Sequence, residues 1–153
     1  AAVARLVEAL GDGEAGAARI CLLVQACDAT AALIGNAVAA ALHDGEPLEV
    51  HELLAETVRC DPPVRTTRRV CTAAAVVAGN RVEPGEAVVV DLGAAGLTFG
   101  AGLRPCPGRE HALALAAGVV APVLRRCTLA PGELTWADSP NLRVLERLAV
   151  DVI

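Results

Sequence analysis

The chain has 153 residues, 54% of them apolar, a mean hydropathy of +0.50 and a net charge of −5. That is enough for one domain with a core, too apolar for a disordered tail, and too acidic for nucleic acid to be the expected partner. Aromatics are 1%, essentially Phe99 and Trp136, and all 13 basic residues are Arg, so any core must be built from Ala, Val and Leu.

Residues 1–10 are predicted to form a short amphipathic helix, and residues 11–16, rich in Gly and acid, a turn. The nearly continuous apolar run of residues 17–42 is too long for a strand and is predicted as a buried helix. Its charge-free part, residues 29–42, falls short of the roughly 18 residues of a membrane span, so no membrane is expected. Residues 43–47, ending Gly-Glu-Pro, stop this helix. Residues 48–58 follow as a second amphipathic helix, ended by Asp61, Pro62 and Pro63.

Residues 70–78 and 87–92 are rich in Val and Ala. Turns at Gly79-Asn80 and Pro84-Gly85 divide this region into three short extended segments. Residues 99–108 form a Gly- and Pro-rich loop. Residues 109–126 form a helix, apolar on most faces and expected to be buried. The tail, residues 129–153, is turn-rich with a final hairpin. The fold class is mainly α with a small antiparallel sheet, in one domain over residues 1–153. The six Cys (21, 27, 60, 71, 106, 127) contain no CxxC pair, so a cytoplasmic protein with reduced thiols is expected. All but Cys106 are read as buried small hydrophobes. His43, His51 and His111 have no joint metal spacing.

The loop holds the chemistry. Cys106 lies between Pro105 and Pro107, immediately before a helix. The prolines and glycines stiffen the turn, and a helix N-terminus offers free N–H groups and partial positive charge, which favour a thiolate. Since Pro107 lacks an N–H, the expected donors to sulfur are Gly108, Arg109 and Glu110. Two blander readings compete. Gly100-Ala101-Gly102 as half a dinucleotide fingerprint fails for want of a third Gly and a βαβ setting. Cys106 as an inert core thiol is the alternative otherwise favoured.

Phe99, Gly100, Gly102, Arg104, Cys106 and Gly108 resemble the haem-binding loop of the cytochrome P450 family, Phe-Gly-x-Gly-x-(His/Arg)-x-Cys-x-Gly. Further segments match in order. Glu56 and Arg59 match the family's Glu-x-x-Arg helix, and Trp136 to Arg143 its C-terminal hairpin. Residues 25–36 look like the helix crossing the distal face of the haem. The resemblance implies a partial P450-like fold with haem b ligated by the Cys106 thiolate. It implies that Arg69 and Arg104 pair with the propionates, that Phe99, Gly100, Gly108 and Ala26 flank the haem, and that Glu56 and Arg59 form a structural ion pair. The implied activity is that of a haem-thiolate oxidoreductase, a monooxygenase or peroxide-dependent oxidase, on a small hydrophobic organic substrate. Only the C-terminal part of the family fold is covered. A redox partner, or an oligomer completing the pocket, is therefore expected.

Three departures qualify this. Asp28 keeps the distal acid, but Ala29 replaces the expected hydroxyl. Thr30, one residue on, points about 100° round the helix. Gln25 replaces a small residue on the Ala29 face, where an amide either bonds a distal ligand or blocks the sixth position, unless the helix is rotated or Gln25 faces water. Finally, residues 93–98 are too short for the family's meander. The alternative function is therefore a non-catalytic haem protein or a haem-free relative acting as a sensor, scaffold or partner subunit.

Overall fold

The computed structural model describes residues 2–45 and 48–153. Helix α1 spans Ala2–Leu10 and α2 spans Gly13–Asp44. The predicted turn is thus only two residues long, because Gly13 and Glu14 already open α2, with Glu14 in its favourable acidic first turn. The reversal requires Gly16: a Cβ there would sit 2.0 Å from the Gly11 carbonyl oxygen. Arg19 adds a hydrogen bond from Nη1 to the Leu10 carbonyl at 2.9 Å.

Gly45 ends α2 in the left-handed region, φ 70°, its N–H donating to the Ala41 carbonyl. The remainder of the expected stop, Glu46 and Pro47, lies outside the described residues. Burial of α2 departs from expectation. Ala32, Leu33 and Ala37 to Ala39 are buried, but residues 17–28 are exposed apart from half-buried Ile20. Composition provided apolar surface there without any described element except α1 to cover it. By length and composition α2 also meets the measure of a membrane span over Gly13–His43, which the charge-free run had not indicated. Its C-terminal half is committed to protein packing instead.

Helix α3 covers Val50–Cys60, and Asp61 caps it through its N–H to the Thr57 carbonyl. Strands β1 Thr66–Val70 and β4 Ala87–Asp91 pair antiparallel, as do β2 Ala75–Val77 and β3 Asn80–Val82. There are therefore four strands here, not three, and Asn80 lies in β3 rather than in the turn. The two-residue turn is Ala78-Gly79, with φ of 48° and 80°, the primed geometry that matches strand twist. An L-residue in that region costs about 1 kcal/mol or more. Ala78→Gly is thus expected to stabilise the hairpin, slowing amide exchange in β2 and β3 by roughly fivefold (about 1 kcal/mol).

Helix α4 spans Arg109–Arg126. Ala116 and Val120 are buried, while Leu115 and Val119 are exposed, so its apolar character overstated its burial. The tail forms two nested ladders, β5 Cys127–Leu129 with β8 Val150–Val152 and β6 Thr135–Trp136 with β7 Leu145–Arg147. Among the described residues the β structure is thus four two-stranded ladders rather than one small sheet. The core is one cluster: Leu33, Ala37 and Val38 of α2, Leu53 and Leu54 of α3, Ala116 and Val120 of α4. It holds α2 across α3 and α4, and α4 begins at the Cys106 loop.

Candidate functional site

The Cys106 loop is closed by its own backbone. The Cys106 N–H donates to the Phe99 carbonyl at 2.7 Å, and the Gly100 N–H to the Leu97 carbonyl at 2.7 Å. Gly100 has φ 69°, and a Cβ there would lie 3.2 Å from the Arg104 carbonyl oxygen. Glycine is what lets the two limbs approach. Cys106 is exposed, as are Arg104 and Leu103, while Phe99 is half-buried with the Arg109 guanidinium 5.4 Å over its ring. Gly108 caps α4, its carbonyl accepting from Ala112 N–H at 2.8 Å. The first N–H groups of α4 have no acceptor within the helix, as the sequence anticipated.

The short link from β4 to this loop does more than its length promised. The N–H groups of Leu92 and Gly93 both donate to the Arg65 carbonyl, at 2.7 and 2.9 Å. The Thr98 hydroxyl, buried, donates to the Val64 carbonyl at 2.8 Å. The Ala94 N–H bonds Asp91 Oδ1 at 2.9 Å. Residues 92–98 thus anchor the Cys loop to the start of β1.

Arg69 lies in β1, exposed, and its Nη1 donates to Thr67 Oγ1 at 2.5 Å and the Arg68 carbonyl at 2.9 Å. No bond among the described residues joins it to the loop. Gln25, Ala26 and Asp28 lie exposed on α2, with Thr30 half-buried.

Glu56 and Arg59 form the expected ion pair. Arg59 Nε donates to Glu56 Oε2 at 2.9 Å, and Nη2 bonds Oε1. Sequence reasoning missed the third member: the exposed Cys60 thiol donates to Glu56 Oε1 at 3.2 Å. Bonds from Arg59 and then Cys60 hold the Glu56 carboxyl below its ordinary range. The pair's contribution is therefore present above the ordinary carboxyl range and lost as pH falls through the depressed value. The bond to Glu56, and then burial, push the Cys60 thiol up. Glu56→Ala leaves Arg59 beside a freed thiol, so Cys60 alkylation by iodoacetamide at pH 8 should accelerate severalfold relative to Cys21.

Cys21, Cys27 and Cys60 are exposed and Cys71 and Cys127 half-buried, contrary to the buried role expected of all five. The three exposed ones lie on α2 and α3. Among the described residues no three His, Cys, Asp or Glu cluster as a metal site. A cleft of about 600 Å³ opens between α2 and α3, lined by Asn36, Ala40, Leu53, Glu56, Cys60 and Asp61 among others. None of its lining belongs to the Cys106 loop.

A junction unseen in the sequence joins distant segments. Asn36 Nδ2 donates to the Asp61 carbonyl at 3.2 Å and the Arg143 carbonyl at 3.1 Å. Asp61 accepts from Arg65 at 2.8 Å and Arg143 at 3.3 Å, and the Arg143 guanidinium stacks 3.1 Å over Trp136. This ties α2 to the end of α3 and to the C-terminal hairpin.

No protein-family model matches the chain, and no curated protein does. Solved structures do. The Tepidiphilus thermophilus P450 heme domain is 18% identical, with a TM-score of 0.79 over 96% of this chain and 44% of its own. P450BioI, solved with hexadec-9Z-enoic acid ligated acyl carrier protein, is 25% identical, with a TM-score of 0.77 over 97% of this chain and 47% of its own. CYP109E1 from Bacillus megaterium, solved with testosterone, is 22% identical, with a TM-score of 0.78 over 90% of this chain and 47% of its own. The fold is part of the cytochrome P450 fold, mainly α with small antiparallel ladders. The chain spans under half the length of these structures.

Proposed function

We propose that this chain is the haem-ligating portion of a cytochrome P450-type oxidoreductase, in one domain over residues 1–153, with Cys106 as the residue whose thiolate would ligate haem b. The observation that carries it is Cys106 itself: an exposed sulfur at the N-terminal end of α4, on a loop pinned by its own N–H to the Phe99 carbonyl. The donor set fits haem. The thiol is accessible, Arg104 is exposed beside it for a carboxylate, and the backbone is fixed before any ligand arrives. Bound haem supplies dioxygen or peroxide chemistry, to which a thiolate ligand contributes electron density favouring O–O cleavage.

The chain's own residues set the rest. The N–H groups at the start of α4 are the donors assigned to a ligating Cys106 sulfur. Phe99, Gly100, Gly108 and Ala26 are assigned to the haem surroundings. Arg69 joins Arg104 as a propionate partner on leaving its bond to Thr67. Asp28 is assigned as the relay acid of the distal helix. Thr30 points away from the Ala29 face, so a peroxide-driven route suits this chain better than reductive use of dioxygen. Gln25, on that face, would hydrogen-bond a distal ligand through its amide or block that ligand's position. The substrate is a small hydrophobic organic molecule, the electron donor if used is a redox partner protein, and the compartment is the cytoplasm; neither nucleic acid nor membrane takes part.

The test is haem titration of the haem-free chain, followed by peroxide-driven oxidation of an apolar aromatic probe. Saturation at one haem per chain, weakened by Cys106→Ala but not by Cys60→Ala, supports the ligand. Product formation supports the enzyme. Haem binding without turnover would leave a non-catalytic haem protein with Gln25 or water opposite Cys106. No haem uptake would overturn the assignment.

A further inference from the structure

Two short hydrogen bonds at neighbouring residues lead from the approach to β1 into the Cys106 loop. The Thr98 hydroxyl donates to the Val64 carbonyl at 2.8 Å. The next residue, Phe99, offers its carbonyl to the Cys106 N–H at 2.7 Å. Residues 92–98 read Leu-Gly-Ala-Ala-Gly-Leu-Thr, so Thr98 carries the only polar side chain of the link. The other bonds of the link start from backbone N–H groups: Leu92 and Gly93 to the Arg65 carbonyl, Leu97 to the Leu92 carbonyl and Ala94 to Asp91.

The Val64 carbonyl is available to Thr98 because of the bridge beside it. Val64 faces Leu142 in an antiparallel bridge. The bonds of that bridge come from flanking residues, Arg65 N–H to the Asn141 carbonyl at 2.9 Å and Arg143 N–H to the Pro63 carbonyl at 2.8 Å. In a pair of this kind the central residue's own carbonyl turns to the opposite edge. Thr98 meets it there. Thr98 is buried, so water does not readily replace its hydroxyl, and a carbonyl that loses a buried donor pays for its desolvation.

On the reading of Cys106 as the haem ligand, we infer that Thr98 is its positioning residue. The hydroxyl acts through Phe99: it fixes the residue before the carbonyl that holds the Cys106 N–H. The C-terminal hairpin, through Asn141 and Arg143, fixes the strand on which Thr98 is anchored. Thr57 provides the contrast. It is also buried, and its hydroxyl also donates to a carbonyl at 2.8 Å, but that carbonyl is Leu53, inside α3.

The test combines native-state amide exchange of the haem-free chain with haem titration. Thr98→Val keeps the branched shape and removes the donor, Thr98→Ala repeats the removal, and Thr98→Ser keeps the hydroxyl. Thr98→Val and Thr98→Ala should speed exchange of the Cys106 N–H about tenfold relative to that of Leu54 in α3. They should also raise the haem dissociation constant about tenfold and lower the share of the reduced, carbon monoxide-bound chain with a red-shifted Soret band. Thr98→Ser should retain the wild-type values, and Thr57→Val should leave haem affinity unchanged. Haem affinity and Cys106 exchange unaltered in Thr98→Val and Thr98→Ala would overturn the role of Thr98 while leaving Cys106 as the ligand. So would an equal loss in Thr57→Val, or a loss in Thr98→Ser that matches Thr98→Ala. A wild-type chain that takes up no haem would overturn the ligand reading, and this role with it.

Discussion

Leu54→Ala is expected to cost about 3–4 kcal/mol of folding stability, which is roughly 10 °C in a chain of this size. Leu54 is 1% exposed and belongs to the single cluster that joins α3 to α2 and α4. That cluster has no aromatic member to close around a void. Leu, Val and Ala bury little area each, so the loss is a large share of a small total. Leu115→Ala, on the exposed side of α4 at 60% exposure, should change stability by less than about 1 kcal/mol. Urea unfolding followed by the fluorescence of Trp136, which stacks under Arg143, reads both. Equal costs would mean that the core lies elsewhere.

Gly100→Ala is expected to weaken haem binding by roughly thirtyfold, about 2 kcal/mol. Two costs add. The residue has φ 69°, which an L side chain resists, and its Cβ would lie 3.2 Å from the Arg104 carbonyl. Both act on the loop whose closing bond is Cys106 N–H to Phe99. Gly102 shares φ 69° but a Cβ there meets nothing within 4 Å. Gly102→Ala should therefore cost only the backbone part, about 1 kcal/mol or fivefold. Haem titration of the two variants distinguishes them. Equal losses would show that the approach of Arg104 does not matter.

Local chemistry made much of this architecture legible. Pro62 and Pro63 stop α3, Gly45 stops α2, and Cys106 precedes α4, because proline, glycine and helix termini act over a few residues. The Phe99 to Gly108 pattern, through its resemblance to a known loop, pointed to the fold, which is part of the cytochrome P450 fold. Burial was not legible. Residues 17–28 are as apolar as a core helix, and only the tertiary arrangement reveals that, among the described residues, no element but α1 packs near them. The same applies to Cys21 and Cys27. The Asn36, Asp61 and Arg143 junction joins residues 25 and 107 positions apart, beyond any periodicity. The bonds from residues 92–98 to Val64 and Arg65 were hidden likewise, since their donors are mostly backbone N–H groups that side-chain pattern does not encode.

The central claim is thiolate ligation by Cys106. Its most direct test is the absorption spectrum of the haem-loaded, reduced chain under carbon monoxide, beside Cys106→Ala. The account predicts a red-shifted Soret band in the wild-type chain and its loss in the variant. An unchanged band in Cys106→Ala, or no red shift in either protein, would contradict it.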